Sequence, residues 1–164
     1  MRLCKEIELN ERKLRCYSCG KVETFTYNIW RKIATNPYTK RNGYISYRIT
    51  INQKHYSVSR VIAHAFLGLD INNPQQVVDH IDRNPLNNCI TNLRIVTHQQ
   101  NMFNTNAKGY HWYKRDKKWR ARICVNYKDI YIGQFDTEDE ARTAYIQAKE
   151  KYHILPNSSP IVDF

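Results

Sequence analysis

The chain has 164 residues, with 26 Lys plus Arg against 15 Asp plus Glu and a formal net charge of +11 at pH 7. Aromatic residues make up 12% while Gly and Pro number only 5 each, which excludes a collagen-like or Gly/Pro-rich disordered chain. The length suits one ordinary domain or two or three small modules, and no apolar run approaches the roughly 18 residues of a membrane-spanning helix. The amino terminus, Met1-Arg2-Leu3-Cys4-Lys5-Glu6, has no apolar stretch of the secretory kind. A soluble intracellular protein is expected, not secreted and not membrane-bound, and cytoplasmic if its source is a bacterium or phage.

The placement of charge says more than its total. Residues 1–76 carry a net +8, residues 77–106 are neutral, residues 108–128 hold 8 basic and 1 acidic side chain, and residues 129–164 are net −4. A concentrated basic strip beside an acidic segment points to a polyanion-binding face with a structured back. An ordinary solvated surface would scatter the same charges.

Residues 1–42 form an amino-terminal segment of unclear role. The five cysteines stand at 4, 16, 19, 89 and 124, an odd count that argues against a disulfide framework. Cys16-Tyr17-Ser18-Cys19-Gly20 has metal-ligand spacing, but a lone C-x-x-C is half of a closed zinc site. Cys4 could add a third ligand for a structural zinc; the preferred reading is a tight turn ended by Gly20, with reduced thiols in a small core.

Residues 43–76 begin with two β-rich runs, 44–51 and 55–58, around a polar turn at Asn52-Gln53-Lys54, which read as a hairpin. Apolar residues then recur at 58, 61, 62, 65 and 66, a helical stripe that Ser57 or Ser59 would cap and Gly68 would end. His64 beside that stripe reads as a structural histidine. Lys40, Arg41, Arg48, Lys54 and Arg60 are either phosphate contacts or a solvated face. Asn72-Asn73-Pro74 marks a connector.

Residues 77–106 are rich in Asn, a turn former whose short amide bonds nearby backbone. The stretch supplies, in order, Asp79-His80, Asp82, Asn84, Asn87-Asn88, Asn92-Leu93-Arg94 and Asn101. This ordered set resembles the HNH endonuclease motif in the form seen in intron-encoded homing endonucleases. Arg83 stands where that pattern often has Gly, and Asn101 replaces the final His, which makes an H-N-N variant. Asp79 and Asn101 offer hard oxygen ligands suited to one Mg²⁺ or Mn²⁺. If 77–81 is a strand, His80 faces away from Asp79 and can serve as general base on a water. The resemblance implies the same roles, makes Asn92 the residue that holds the loop and orients His80, and implies a β-hairpin over 77–96 with a helix from about Thr97. His98 reads as an exposed helix residue, or a spare phosphate contact. Asn104, on the helix face of Asn101, is a more distant candidate.

Residues 107–153 contain Gly109, Lys118-Trp119-Arg120-Ala121-Arg122-Ile123, Ile130-Tyr131-Ile132-Gly133, Phe135-Asp136-Thr137-Glu138, Glu140-Ala141, Ala144-Tyr145 and Ala148. This pattern resembles the ERF-type (APETALA) DNA-binding domain, which implies a three-stranded antiparallel sheet packed on one helix with its open face toward double-stranded DNA. Alternation puts Trp119, Ala121 and Ile123 against the helix, and Arg120, Arg122 and Cys124 on the other face. Ile130 and Ile132 are expected inward and Tyr131 outward, with Trp112, Trp119 and Tyr145 as core. The candidate DNA contacts are Arg120, Arg122 and Tyr131, then His111, Lys114, Arg115 and Lys118. Residues 154–164 read as an extended tail.

The expected fold is α+β: a ββα-metal nuclease core, preceded by a strand-strand-helix segment and followed by the three-stranded sheet on one helix. The resemblance implies a metal-dependent DNA endonuclease of the homing type. One such site in a short chain implies nicking by a monomer, whereas a double-strand cut requires a homodimer. The rivals are a non-catalytic DNA-binding regulator with a relic core, and a restriction or repair nuclease with the same core.

Overall fold

The computed structural model describes residues 3–33, 35–39 and 45–156. Lys40, Arg41 and the tail from 157 onward lie outside them. The described residues form two units, one running up to His98 and including Pro156, the other Gln99–Leu155.

In the first unit, strands β1 (Cys4–Leu9), β2 (Arg12–Tyr17), β3 (Val22–Thr26) and β4 (Ile29–Lys32) form a four-stranded antiparallel meander in sequence order. The turn residues Asn10-Glu11 and Tyr27-Asn28 all have positive φ, the backbone twist that suits two-residue hairpins. One face carries the cross-strand row Glu6, Arg15, Glu23, Lys32, with Arg15 lying 4.1 Å over the Trp30 ring. The other face sends Leu9, Leu14, Cys16 and Val22 into the core.

A second sheet has the order β5 (Asn36–Thr39), β6 (Ile45–Ile51) and β7 (Lys54–Ser57), all antiparallel. Its Asn52-Gln53 turn also has positive φ, and it docks on the β1–β2 turn. Asn10 Nδ2 donates to Ile51 O at 3.1 Å and Asn52 Nδ2 donates to Asn10 O at 2.9 Å. Helix α1 (Val58–Leu67) follows, with Ser57 as N-cap and Gly68 as a left-handed C-cap, as the apolar stripe predicts. Its buried face meets Ile49, Ile51 and Leu93 in the core that also holds the meander residues. The segments 1–42, 43–76 and 77–106 thus contribute to one core. His64 Nδ1 donates to Leu69 O at 2.7 Å, closing the helix end. Strands β8 (Val77–His80) and β9 (Leu93–Val96) pair antiparallel and end this unit.

Helix α2 (His98–Phe103) begins one residue after the expected Thr97, and from Gln99 it belongs to the second unit. There β10 (Tyr110–Tyr113), β11 (Lys118–Val125) and β12 (Lys128–Phe135) form a three-stranded antiparallel sheet. Helix α3 (Glu138–Tyr152) packs on all three strands. Thr137 and Glu140 make a reciprocal capping box at its start, satisfying two backbone donors that a helix leaves open. Ala121, Ile123 and Ala141 are buried as alternation predicts.

Two expectations for this sheet need correction. Trp112 is 45% exposed rather than core, touching Trp119 edge-on at 5.7 Å. Arg122 pairs with Tyr131 but Ala121 pairs with Gly133, so Ile132 is an extra, bulged residue. Ile130, opposite Ile123, is still 37% exposed. The ends of the unit are tied together. The Phe103 and His153 rings stack at 3.9 Å, His153 Nε2 donates to Cys124 O at 3.0 Å, and Lys149 Nζ donates to Thr105 O at 3.3 Å. Among the described residues no helix is long and apolar enough to cross a membrane.

Candidate functional site

Asp79 and His80 are consecutive on β8, so their side chains leave opposite faces of the strand. Both are buried, each at 6% exposure. Asp79 pairs across the hairpin with Arg94, and Arg94 donates to its Oδ2 from Nε at 2.8 Å and from Nη2 at 2.7 Å. Burying a carboxylate is costly unless a cation and hydrogen bonds compensate it, and Arg94 supplies both. His80 Nε2 donates to Asn88 Oδ1 at 3.1 Å.

The twelve residues between the strands are held by short polar side chains. Asn92 Nδ2 donates to Asp82 Oδ1 and to Asn87 O, both at 2.8 Å, and its Oδ1 accepts from Asp82 N at 2.9 Å. Asp82 accepts further from Asn87 Nδ2 at 2.8 Å and from Asn84 N at 2.7 Å. The Asn87 amide, with the Asn84 N–H and the Asn92 amide, holds the Asp82 carboxyl below its ordinary value. Arg83 adopts φ +63, so the turn keeps a left-handed residue where the resembling pattern often has Gly. Asn92 therefore closes the loop, and the amide meeting the imidazole is that of Asn88.

Asn88 rests on the amino-terminal meander. Ile90 N donates to Ser18 O at 2.8 Å. At Gly20 (φ +89), a Cβ would stand 2.9 Å from both Asn88 Cβ and Asn88 O. The C-x-x-C turn thus forms the floor beneath the partner of His80. Its cysteines diverge: Cys16 is fully buried in the core, while Cys4 and Cys19 are exposed. Burial, with a smaller contribution from Cys4, pushes the Cys16 thiol up to about 12. Among the described residues no three His, Cys, Asp or Glu side chains gather as a metal site.

His80 and His98 line a cavity of about 230 Å³ with Ser57, Ser59 and Gln76. His98 Nε2 donates to Pro74 O at 3.1 Å. Arg60, read as a phosphate contact or solvated side chain, instead donates to the carbonyls of Gln76, Ile71, Asn73 and Asp70 at 2.5–3.3 Å. A guanidinium with several donors suits that clasping of the 70–76 connector. Arg48 lies 4.6 Å over the Tyr38 ring, and Lys54 is exposed. Asn101 is an exposed residue of α2 in the second unit, with Asn104 just beyond that helix.

On the carboxy-terminal sheet, His111, Arg120, Arg122 and Tyr131 line one concavity of about 320 Å³ together with Tyr113 and Asp129. Lys114, Arg115 and Lys118 are not part of that lining: Arg115 pairs with Asp116, Lys118 with Asp136, and Lys114 is exposed. Arg120 Nη2 donates to Asp116 Oδ2 at 2.6 Å and Arg122 Nη1 to Asp129 Oδ2 at 3.4 Å. Sequence reasoning gave no role to Asn88, Arg94 or Asp116. Arg94 becomes visible once the hairpin register is known, and Asp116 stands out as the single acid of the 108–128 strip.

Residues 56–103 match the HNH endonuclease family model. The HNH segment contains every polar residue of the β8–β9 hairpin just described, and Asn101. An uncharacterized HNH endonuclease of Acanthamoeba polyphaga mimivirus is 33% identical over 121 residues, covering 70% of this chain and 62% of that protein. Protein 3.8 of Escherichia phage T7 is 34% identical over 59 residues, 31% of this chain and 49% of that protein. The chain thus spans less than two thirds of either relative. Among solved structures, the HNH homing endonuclease I-HmuI aligns with a TM-score of 0.42 and 20% identity, covering 84% of this chain and 80% of that one.

Proposed function

We propose that this protein is an HNH endonuclease of the homing type, which hydrolyses a phosphodiester of double-stranded DNA with a divalent metal and nicks as a monomer. The observation that carries the reading is the buried Asp79–His80 pair, adjacent on one strand inside the HNH segment. His80 Nε2 donates a hydrogen bond to Asn88 Oδ1, which orients the imidazole that in this reading takes a proton from water. Asp82 and Asn92 fix the loop that presents Asn88, and the Gly20 turn supports it from below.

The Asp79 carboxylate is a hard oxygen donor of the kind that suits Mg²⁺ or Mn²⁺, and the H-N-N resemblance adds the Asn101 amide oxygen as its companion ligand. Such a metal, when bound, neutralises phosphate charge and assists the leaving oxygen. The cysteines 4, 16 and 19 take no part. The carboxy-terminal unit, read as an ERF-like module, supplies sequence recognition through the face bearing Arg120, Arg122 and Tyr131.

The test is cleavage of supercoiled plasmid carrying a broad sequence library. The expected result is open circles with Mg²⁺ that are absent with EDTA and absent for a folded His80→Ala variant. Linear product would keep the enzyme and favour a dimer or two successive nicks; linear product with no open-circle intermediate would overturn monomeric nicking. Retained salt-sensitive DNA binding without cleavage, in Mg²⁺ or Mn²⁺, would overturn the nuclease reading in favour of a regulator.

A further inference from the structure

The two arginines of the carboxy-terminal sheet face are held in different ways. The Arg120 guanidinium carbon lies 3.3 Å from the centroid of the Tyr113 ring, and Nη2 is bonded to Asp116 Oδ2 at 2.6 Å. The same oxygen accepts from Gln134 Nε2 at 2.8 Å, while Arg115 Nε holds the other at 3.0 Å. Its side chain is 27% exposed. Arg122 has a 3.4 Å contact to Asp129, and both side chains are about 60% exposed. The first arginine is clamped on one face and one edge; the second is tethered loosely in solvent.

We propose that Asp116, Tyr113 and Gln134 are positioning residues that fix Arg120 as a rigid guanine-reading side chain, while Arg122 makes an adaptable phosphate contact. This rests on the reading of the sheet face as a DNA-binding surface. Three observations support it. The Nε of Arg120 is buried without a hydrogen-bond partner, so that edge is turned inward. What remains for a ligand is Nη1 and the second Nη2 proton, the two-nitrogen edge that matches O6 and N7 of guanine. Third, Asp116 is the single acidic residue among the 8 basic ones of 108–128. A carboxylate there weakens attraction to phosphate, a cost in non-specific affinity that is offset when it orients a base-reading group. Arg115, Gln134 and Arg120 hold the Asp116 carboxyl at about 2, so the clamp persists throughout neutral pH.

The experiment is selection of bound duplexes from a random pool by the full chain in EDTA, at fixed salt, for the wild type, Asp116→Ala, Asp116→Glu, Arg120→Lys and Arg122→Ala. The wild type is expected to enrich a motif containing a guanine. Asp116→Ala and Arg120→Lys should each flatten that one position by roughly tenfold, with affinity of Asp116→Ala for random DNA unchanged or raised and Asp116→Glu restoring part of the preference. Arg122→Ala should weaken binding evenly across sequences and lower the salt slope by about one. An unchanged motif in Asp116→Ala overturns the proposal, as does parallel loss of motif, random binding and folded circular dichroism, which marks a structural role. A wild type that enriches no motif overturns the reading of the sheet as a sequence reader, and the proposal with it.

Discussion

Gly20 and Gly68 provide a controlled comparison of what a single methyl group does to the candidate site. Both have positive φ, +89 and +75, but a Cβ at Gly68 meets nothing within 4 Å. At Gly20 it would meet Asn88 Cβ and O at 2.9 Å and the Asn88 carbonyl carbon at 3.0 Å. Two of those three atoms are backbone and cannot swing aside. Holding an L-residue in the left-handed region costs about 1–2 kcal/mol, and overpacking adds about 1–3 kcal/mol. Gly68→Ala should therefore cost about 1–2 kcal/mol and Gly20→Ala about 2–5 kcal/mol. Hydrogen exchange read by mass spectrometry on the peptide containing Ile90, whose amide bonds Ser18 O, should show the larger loss of protection for Gly20→Ala. Because Asn88 is the partner of His80, the DNA cleavage proposed above should also slow in that variant and not in Gly68→Ala under single-turnover conditions. Equal losses of protection in the two variants would refute the steric argument.

Arg94→Ala removes the cation from a carboxylate that is 6% exposed and should cost about 3–5 kcal/mol, seen as a lowered urea midpoint. Alkylation with iodoacetamide at pH 8 should modify Cys4 and Cys19 in the native protein but spare Cys16, whose thiol is buried and raised to about 12; peptide mass spectrometry gives the answer. The Asp82 carboxyl is lowered in the folded state, so its contribution to loop stability is complete above the ordinary carboxylate value of about 4 and fades as pH falls through the folded value. Exchange protection across residues 81–92 should stay level from neutral pH down to that range and then drop, and Asp82→Asn should abolish this dependence.

The turn at 52–53 and the α1 stripe ended by Gly68 were legible because each is a local signal carried by neighbouring residues. The amino-terminal meander was harder to read. Its outward row, Glu6, Arg15, Glu23 and Lys32, is charged, while Cys16 and Thr24 stand among its inward residues, so the two-residue period is blurred by small or polar side chains. In the candidate site, the order of Asp79, His80 and Asn92 is visible along the chain. The bonds that hold them are not: Arg94 meets Asp79 only through a cross-strand register set across a twelve-residue loop, and Asn88 is supported by a turn nearly seventy residues earlier. The bulge at Ile132 likewise depends on pairing with β11, and it spoils simple alternation along β12.

The stack of Phe103 on His153, with the Lys149 bond to Thr105, decides where the carboxy-terminal unit can be cut for transplantation. A graft begun at residue 107 would carry the sheet and α3 but leave behind the ring that covers His153. A graft begun at Gln99 takes the covering ring, the Thr105 carbonyl and the Gln99–Asn126 contact at 3.0 Å with it. Chimeras that exchange this unit between proteins should therefore be joined at the start of α2, between His98 and Gln99, with the rest of the helix travelling as part of the insert.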